Sequence, residues 1–131
     1  MSPEQEIRRR ISNHGPITLA EFIEIVLYWP QGGFYVGRNP VGGDGGDFYT
    51  SPLAHPVFGA LLAVQLFQMW QIMERPTPFT VIERGAGNGL LARDIVSFAS
   101  GLPDGFVDSL QYIPVDRWPT SGLGPRSVRS L

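Results

Sequence analysis

Apolar residues recur at helical spacing in four stretches of the chain and run together in two short ones. Ile7 and Ile11 stand four apart behind Ser2-Pro3-Glu4-Gln5. Ser2 can cap that helix, Pro3 suits its first turn, and an acid there complements the dipole. Gly15-Pro16 ends it. Thr18-Leu19-Ala20-Glu21 has the form of a capping box, and Phe22, Ile23, Val26 and Leu27 then make an apolar stripe. This second helix should end near Tyr28, because Pro30 disfavours helical geometry in Trp29. A third helix is predicted over 57–74. Its apolar residues cover more than one face, so it should be largely buried, with Met69 and Trp70 in the core. Arg75-Pro76 stops it. Residues 79–83 read as a short buried parallel strand, 90–98 as a helix and 101–105 as a turn. A second strand is predicted over 110–116, with Pro114 awkward inside it.

The stretch 30–56 breaks this regularity. Gly or Pro punctuates it every few residues, leaving room only for a short strand at Phe34-Tyr35-Val36. A loop of this length is uncommon in a compact domain unless it has a function, and its aromatic residues argue against plain disorder. The chain therefore divides into a helical region with a Gly/Pro-rich loop over 1–75, the start of an α/β domain over 76–116 and an irregular tail over 117–131.

Composition narrows the function. The chain has 131 residues, 43% hydrophobic and 17% charged, which fits a globular protein. A net charge of −2 gives no support to nucleic-acid binding. All ten basic residues are Arg. Cysteine is absent, and His14 and His55 are far apart, so neither a disulfide nor a metal site is expected. No secretory signal or membrane-spanning run is seen, and the expected setting is cytoplasmic.

The chemistry concentrates in "FTVIERGAGNGLLARD", residues 79–94. Strand, glycine turn, helix and strand open a doubly wound α/β fold, whose ligands bind at the carboxyl ends of the strands. Gly85, Gly87 and Gly89 let the backbone turn sharply and admit a ligand where a Cβ would clash. Amides at the start of the next helix should point into the same crevice. A dinucleotide fingerprint fits poorly: counted from Gly85 its third glycine falls on Leu90, and counted from Gly87 it falls on Ala92. The fuller pattern is Glu83-x-Gly-x-Gly-x-Gly. An acid at the strand end would repel a pyrophosphate but suits S-adenosylmethionine, which carries an ammonium and a sulfonium. Asp116, at the end of the second strand, can accept hydrogen bonds from both ribose hydroxyls.

Four blocks, "GPITLAEFIEIVLYWPQGGFYVGR", "GDFYTSP", "VFGALLAVQLFQMW" and "VIERGAGNG", resemble the MidA family of class I methyltransferase-like proteins. That family includes a mitochondrial complex I assembly factor that methylates a protein arginine. The resemblance covers roughly residues 3–116. It implies an S-adenosylmethionine-dependent methyltransferase acting on an arginine side chain of a protein. It assigns Glu83, Gly85, Gly87 and Gly89 to the first cofactor motif and Asp116 to the ribose. It also matches Gly46, Asp47, Phe48, Thr50, Ser51 and Pro52 to a block that closes over the cofactor pocket. Leu53 and Ala60 stand where the family has glutamates, and Arg84 replaces an apolar residue.

The expected fold is thus α/β: an N-terminal helical segment plus the first βαβ part of a class I, Rossmann-like sheet, cut short. The resemblance supplies no catalytic residue here. An alternative from another class stays open: an inactive fragment whose exposed sheet edge and apolar helix face favour self-association or a protein partner.

Overall fold

The computed structural model describes residues 1–36 and 50–117, and these form two compact units, Met1–Tyr49 and Thr50–Leu131.

The first unit holds two helices, α1 (Pro3–His14) and α2 (Leu19–Tyr28). Both begin on complete capping boxes. The Ser2 hydroxyl accepts from the Gln5 amide while Gln5 accepts from the Ser2 amide; Thr18 and Glu21 repeat the exchange. Gly15 closes α1 at φ 81°, a conformation that costs glycine little. The α2 stripe is only partly buried. Ile25 is enclosed, whereas Phe22 and Ile23 are exposed. The most enclosed side chain of α1 is an acid, Glu6. Its carboxylate is covered by the guanidinium groups of Arg9 and Arg10 at 2.7–2.8 Å rather than by core, with water just beyond these half-open side chains. Hydrogen bonds from Arg9 and then Arg10 hold its carboxyl well below the usual range, at about 2.

Residues 34–36 form a turn, not the expected strand. The amides of Phe34 and Tyr35 donate to the carbonyls of Val26 and Leu27, which fastens the segment to the end of α2. Those bonds complete carbonyls that the helix end leaves open, so no strand partner is needed. Tyr35 stacks on Tyr28 at 5.7 Å.

The second unit carries α3 (Ser51–Ala54), α4 (Val57–Ile72), β1 (Phe79–Arg84), α5 (Leu90–Ala99), α6 (Phe106–Ser109) and β2 (Leu110–Val115). By packing, α4 belongs to this unit, where it lies along α5. β1 and β2 pair in parallel, with Phe79 beside Leu110, Val81 beside Tyr112 and Glu83 beside Pro114. Pro114 costs this pairing nothing. The Val115 carbonyl accepts from Gly85 and Ala86 and so points toward β1; by strand alternation the backbone of residue 114 faces the other way.

One face of the sheet is covered and the other is open. On the covered face, Phe79, Trp70, Ala99, Phe106 and Leu110 form one cluster. Ala63, Ala92, Ile95 and Tyr112 form a second nearer the glycine turn. Thr80, Ile82 and Arg84 lie on the open face, where Ile82 is 62% exposed. Arg84 thereby keeps its charge in water, which removes the cost expected of a charge beside a buried strand. α4 is less buried than its composition predicts. Trp70 is core, but Met69 is half exposed, and Leu61 and Ile72 are 64% and 82% exposed. Its apolar residues surround the helix, yet only one side meets α5 and the sheet.

α4 and α5 meet at Gly59. A Cβ built there would lie 2.7 Å from Asp94 Cβ and 3.3 Å from the Asp94 carbonyl carbon and the Ile95 amide nitrogen. The neighbours are backbone or joined directly to it, so α5 itself would have to move. Replacing Gly59 with Ala gains about 1 kcal/mol of helix propensity, but overpacking costs about 1–3 kcal/mol. Gly59→Ala is expected to lower the urea midpoint, and Gly59→Val to lower it further. A more stable Gly59→Ala would show that the helices are not in contact here.

Candidate functional site

The glycine turn links the end of β1 to the start of α5. Gly85, Gly87 and Gly89 all have positive φ, at 76°, 55° and 70°. This conformation, more than lack of space, explains Gly85 and Gly87: a Cβ added at either would meet nothing within 4 Å. Above these two residues the turn faces open space.

The end of β2 holds the turn in place. The Gly85 and Ala86 amides donate to the Val115 carbonyl at 2.8 and 3.2 Å, and the Gly87 amide donates to Asp116 Oδ2 at 2.8 Å. The Gly89 amide donates to the Ala86 carbonyl, and Leu90 at the helix start donates to Asn88 Oδ1. These five amides therefore have acceptors within the chain. Amides at the helix start were expected to open into the crevice, and Leu90's is instead satisfied by the Asn88 side chain. The bond from Gly87 to Asp116 was not legible in the sequence, which gives only the position of the acid at a strand end.

Glu83 sits at the tip of β1, half-buried, on the covered face of the sheet. The buried Tyr112 donates to its Oε2 at 3.0 Å. Burial raises the Glu83 carboxyl above its ordinary value, the Tyr112 bond opposes that shift, and the nearby Asp116 adds to it. Tyr112 is raised by its own burial and by the Glu83 charge. Sequence reasoning missed Tyr112, which reads there as one more strand aromatic.

Glu83, Gly85, Gly87, Gly89 and Asp116 thus converge at the carboxyl ends of two parallel strands. Of the upstream block, Thr50, Ser51 and Pro52 belong to the same unit: Thr50 precedes α3, Ser51 and Pro52 begin it, and α3 touches α4 and α5. Gly46, Asp47 and Phe48 lie outside the described residues.

A parallel strand–glycine turn–helix–strand unit with acids at both strand ends is the opening of a Rossmann-like α/β fold. Residues 61–121 match the family described as "Putative S-adenosyl-L-methionine-dependent methyltransferase", so the likeness runs a few residues past Asp116. Among curated proteins, the chain is 41% identical to "Protein arginine methyltransferase NDUFAF7 homolog, mitochondrial" of Drosophila melanogaster over 92 residues. That is 70% of this chain and 21% of the relative. It is 40% identical over 87 residues to the Homo sapiens "Protein arginine methyltransferase NDUFAF7, mitochondrial", or 66% of this chain and 20% of that one. A crystal structure of a COG1565 superfamily member from Burkholderia thailandensis, bound to S-adenosyl-homocysteine, superposes with a TM-score of 0.73 at 31% identity. The match covers 90% of this chain and 30% of that one. The chain belongs to this MidA-type family of S-adenosyl-L-methionine-dependent methyltransferases. It spans about a fifth of the length of the curated relatives.

Proposed function

We propose that the chain provides the first cofactor-binding segment of an S-adenosylmethionine-dependent protein arginine methyltransferase. The observation that carries this reading is the state of the glycine turn. Its amides at 85 and 86 are taken by Val115 at the end of β2 and that at 87 by the Asp116 side chain, so it offers few donors to a pyrophosphate, while its outer side is open to a ligand. A ligand entering there meets glycine backbone and two carboxylates. That suits a nucleoside carrying an ammonium and a sulfonium, and disfavours a dinucleotide.

In this reading the Glu83 carboxylate attracts the ammonium of the cofactor's amino-acid part. Gly85 and Gly87 let the ligand lie against bare backbone. Asp116 accepts from the ribose hydroxyls while holding the turn through Gly87. Thr50, Ser51 and Pro52, at the start of α3, close over the pocket. The bound cofactor supplies an already activated methyl group. The protein's share is to place an arginine nitrogen in line with it and to exclude water. The relatives are named as arginine methyltransferases, which supports a protein substrate. They are also named as mitochondrial. Among the described residues no helix is long and apolar enough to cross a membrane.

S-adenosyl-homocysteine in excess should raise the thermal midpoint of the chain, and the same concentration of NAD should not. Saturation at a hundred times the dissociation constant corresponds to about 2.7 kcal/mol of stabilisation. Stabilisation by NAD alone would overturn the assignment. A second reading, self-association, is favoured by the open face of the sheet and by Leu61, Ile72 and Ile82, which are large, apolar and exposed. Analytical ultracentrifugation decides it: a monomer at every concentration would count against it.

A further inference from the structure

We propose that Tyr112 is a positioning residue for the cofactor site: its hydroxyl fixes the Glu83 carboxylate at the tip of β1 and keeps it available to a ligand ammonium. This rests on the cofactor reading above and adds to it a residue that makes no contact with the ligand.

The geometry has three parts. First, the Tyr112 ring cannot swing away. It is 3% exposed and packed with Ala63, Ala92 and Ile95, so both of its ends are set by α4, α5 and the sheet. Second, the strand register places Tyr112 beside Val81, one step along the covered face from the Glu83–Pro114 pair. A tyrosine at this position reaches the acid at the strand tip, and the hydroxyl lies 3.0 Å from Oε2. Third, phenylalanine would fill the same space without burying a hydroxyl, which needs a partner to offset its desolvation. The hydroxyl is therefore the feature that the core does not require.

The bond fixes the acid's orientation and favours its charged form. Burial and the Asp116 charge both push Glu83 toward the neutral acid, and the Tyr112 bond opposes them. Tyr112 and Asp116 are the ionisable groups of β2 and its end that act on Glu83. α4 carries no charged residue, α5 carries Arg93 and Asp94, which pair with each other, and the neighbouring Arg84 lies on the opposite face of the sheet. A neutral Glu83 would hold an ammonium only weakly. Losing the hydroxyl should therefore weaken binding most in mild acid.

The test is the pH profile of S-adenosyl-homocysteine binding by calorimetry, on the whole chain and on Tyr112→Phe and Glu83→Gln. The ligand's amino group stays charged across the range, so the acid limb reports the protein. For wild type, affinity should fall as pH drops and Glu83 takes up a proton. In Tyr112→Phe that fall should begin at higher pH, with binding about tenfold weaker in mild acid and close to wild type in mild alkali. Glu83→Gln should lack this limb. Carboxyl-carbon NMR of the unliganded chain reads the same shift without ligand: the Glu83 midpoint should rise in Tyr112→Phe. If wild type binds and Tyr112→Phe has the same pH profile and the same Glu83 midpoint, Tyr112 is only a core residue and the inference is wrong. If Tyr112→Phe does not fold, wild-type affinity in Glu83→Gln at every pH would overturn it. If wild type does not bind, the cofactor reading and this inference fall together.

Discussion

Replacing Phe106 with Ala should remove most of the stability of the second unit. Phe106 is 0% exposed and sits among three rings, with centroids 5.5 Å from Phe67, 5.3 Å from Trp70 and 6.0 Å from Phe79. These rings come from α4 and β1, so Phe106, on α6, joins the helix layer to the sheet. Truncating a buried phenylalanine costs about 3–5 kcal/mol in lost transfer energy and cavity formation. Whole domains are stable by only about 5–15 kcal/mol. Trp70 lies beside the site and reports its unfolding in urea by fluorescence. The expected variant is largely unfolded or has a much lower midpoint. A loss below about 1 kcal/mol, the size of an ordinary substitution, would show that the four rings do not form the core.

Replacing Asp116 with Ala should mainly damage binding. The Gly87 amide would lose its acceptor at 2.8 Å, and in the proposed cofactor site the ribose hydroxyls would lose theirs. A hydrogen bond to a charged group contributes about 1.5–3 kcal/mol, and about 1.4 kcal/mol is tenfold in affinity. Asp116→Ala should therefore bind S-adenosyl-homocysteine about ten- to a hundredfold more weakly. The residue is exposed, so its effect on the urea midpoint should be small. Asp116→Asn keeps an oxygen for Gly87 and should recover part of the loss. Unchanged affinity in Asp116→Ala would remove Asp116 from the site and leave it as a turn anchor.

The frame of the second unit is legible in the sequence because local signals agree there. A β-rich run, alternate glycines, a helical stripe and a second β-rich run follow one another within 79–116, and one parallel pair is what they can make. The capping boxes at Ser2 and Thr18 are equally local, and both form. What the sequence hides depends on partners distant along the chain. Gly59 looks like a flaw in a helix until Asp94 is brought against it. Phe22, Ile23 and Met69 have helical spacing but face no covering element among the described residues of their own units. Glu6 looks like a surface acid and is enclosed by Arg9 and Arg10. The short strand expected at residues 34–36 failed because open carbonyls at the end of α2 offered its amides nearer partners.

Residue types and spacing single out Glu83, the three glycines and Asp116, which the structure brings together at the strand ends. They do not show that β2 takes the turn's amides, which depends on the parallel register and on where Val115 points. That detail sharpens the cofactor choice, because it separates a turn that presents donors from one that presents bare backbone.

The most direct test of the account is an amide NMR titration of the isotope-labelled chain with S-adenosyl-homocysteine. Saturable shifts centred on residues 83–90 and 115–117 are expected, with Gly85, Gly87 and Asp116 among the largest. Shifts elsewhere with these residues unmoved, or no shifts at millimolar ligand, would contradict it.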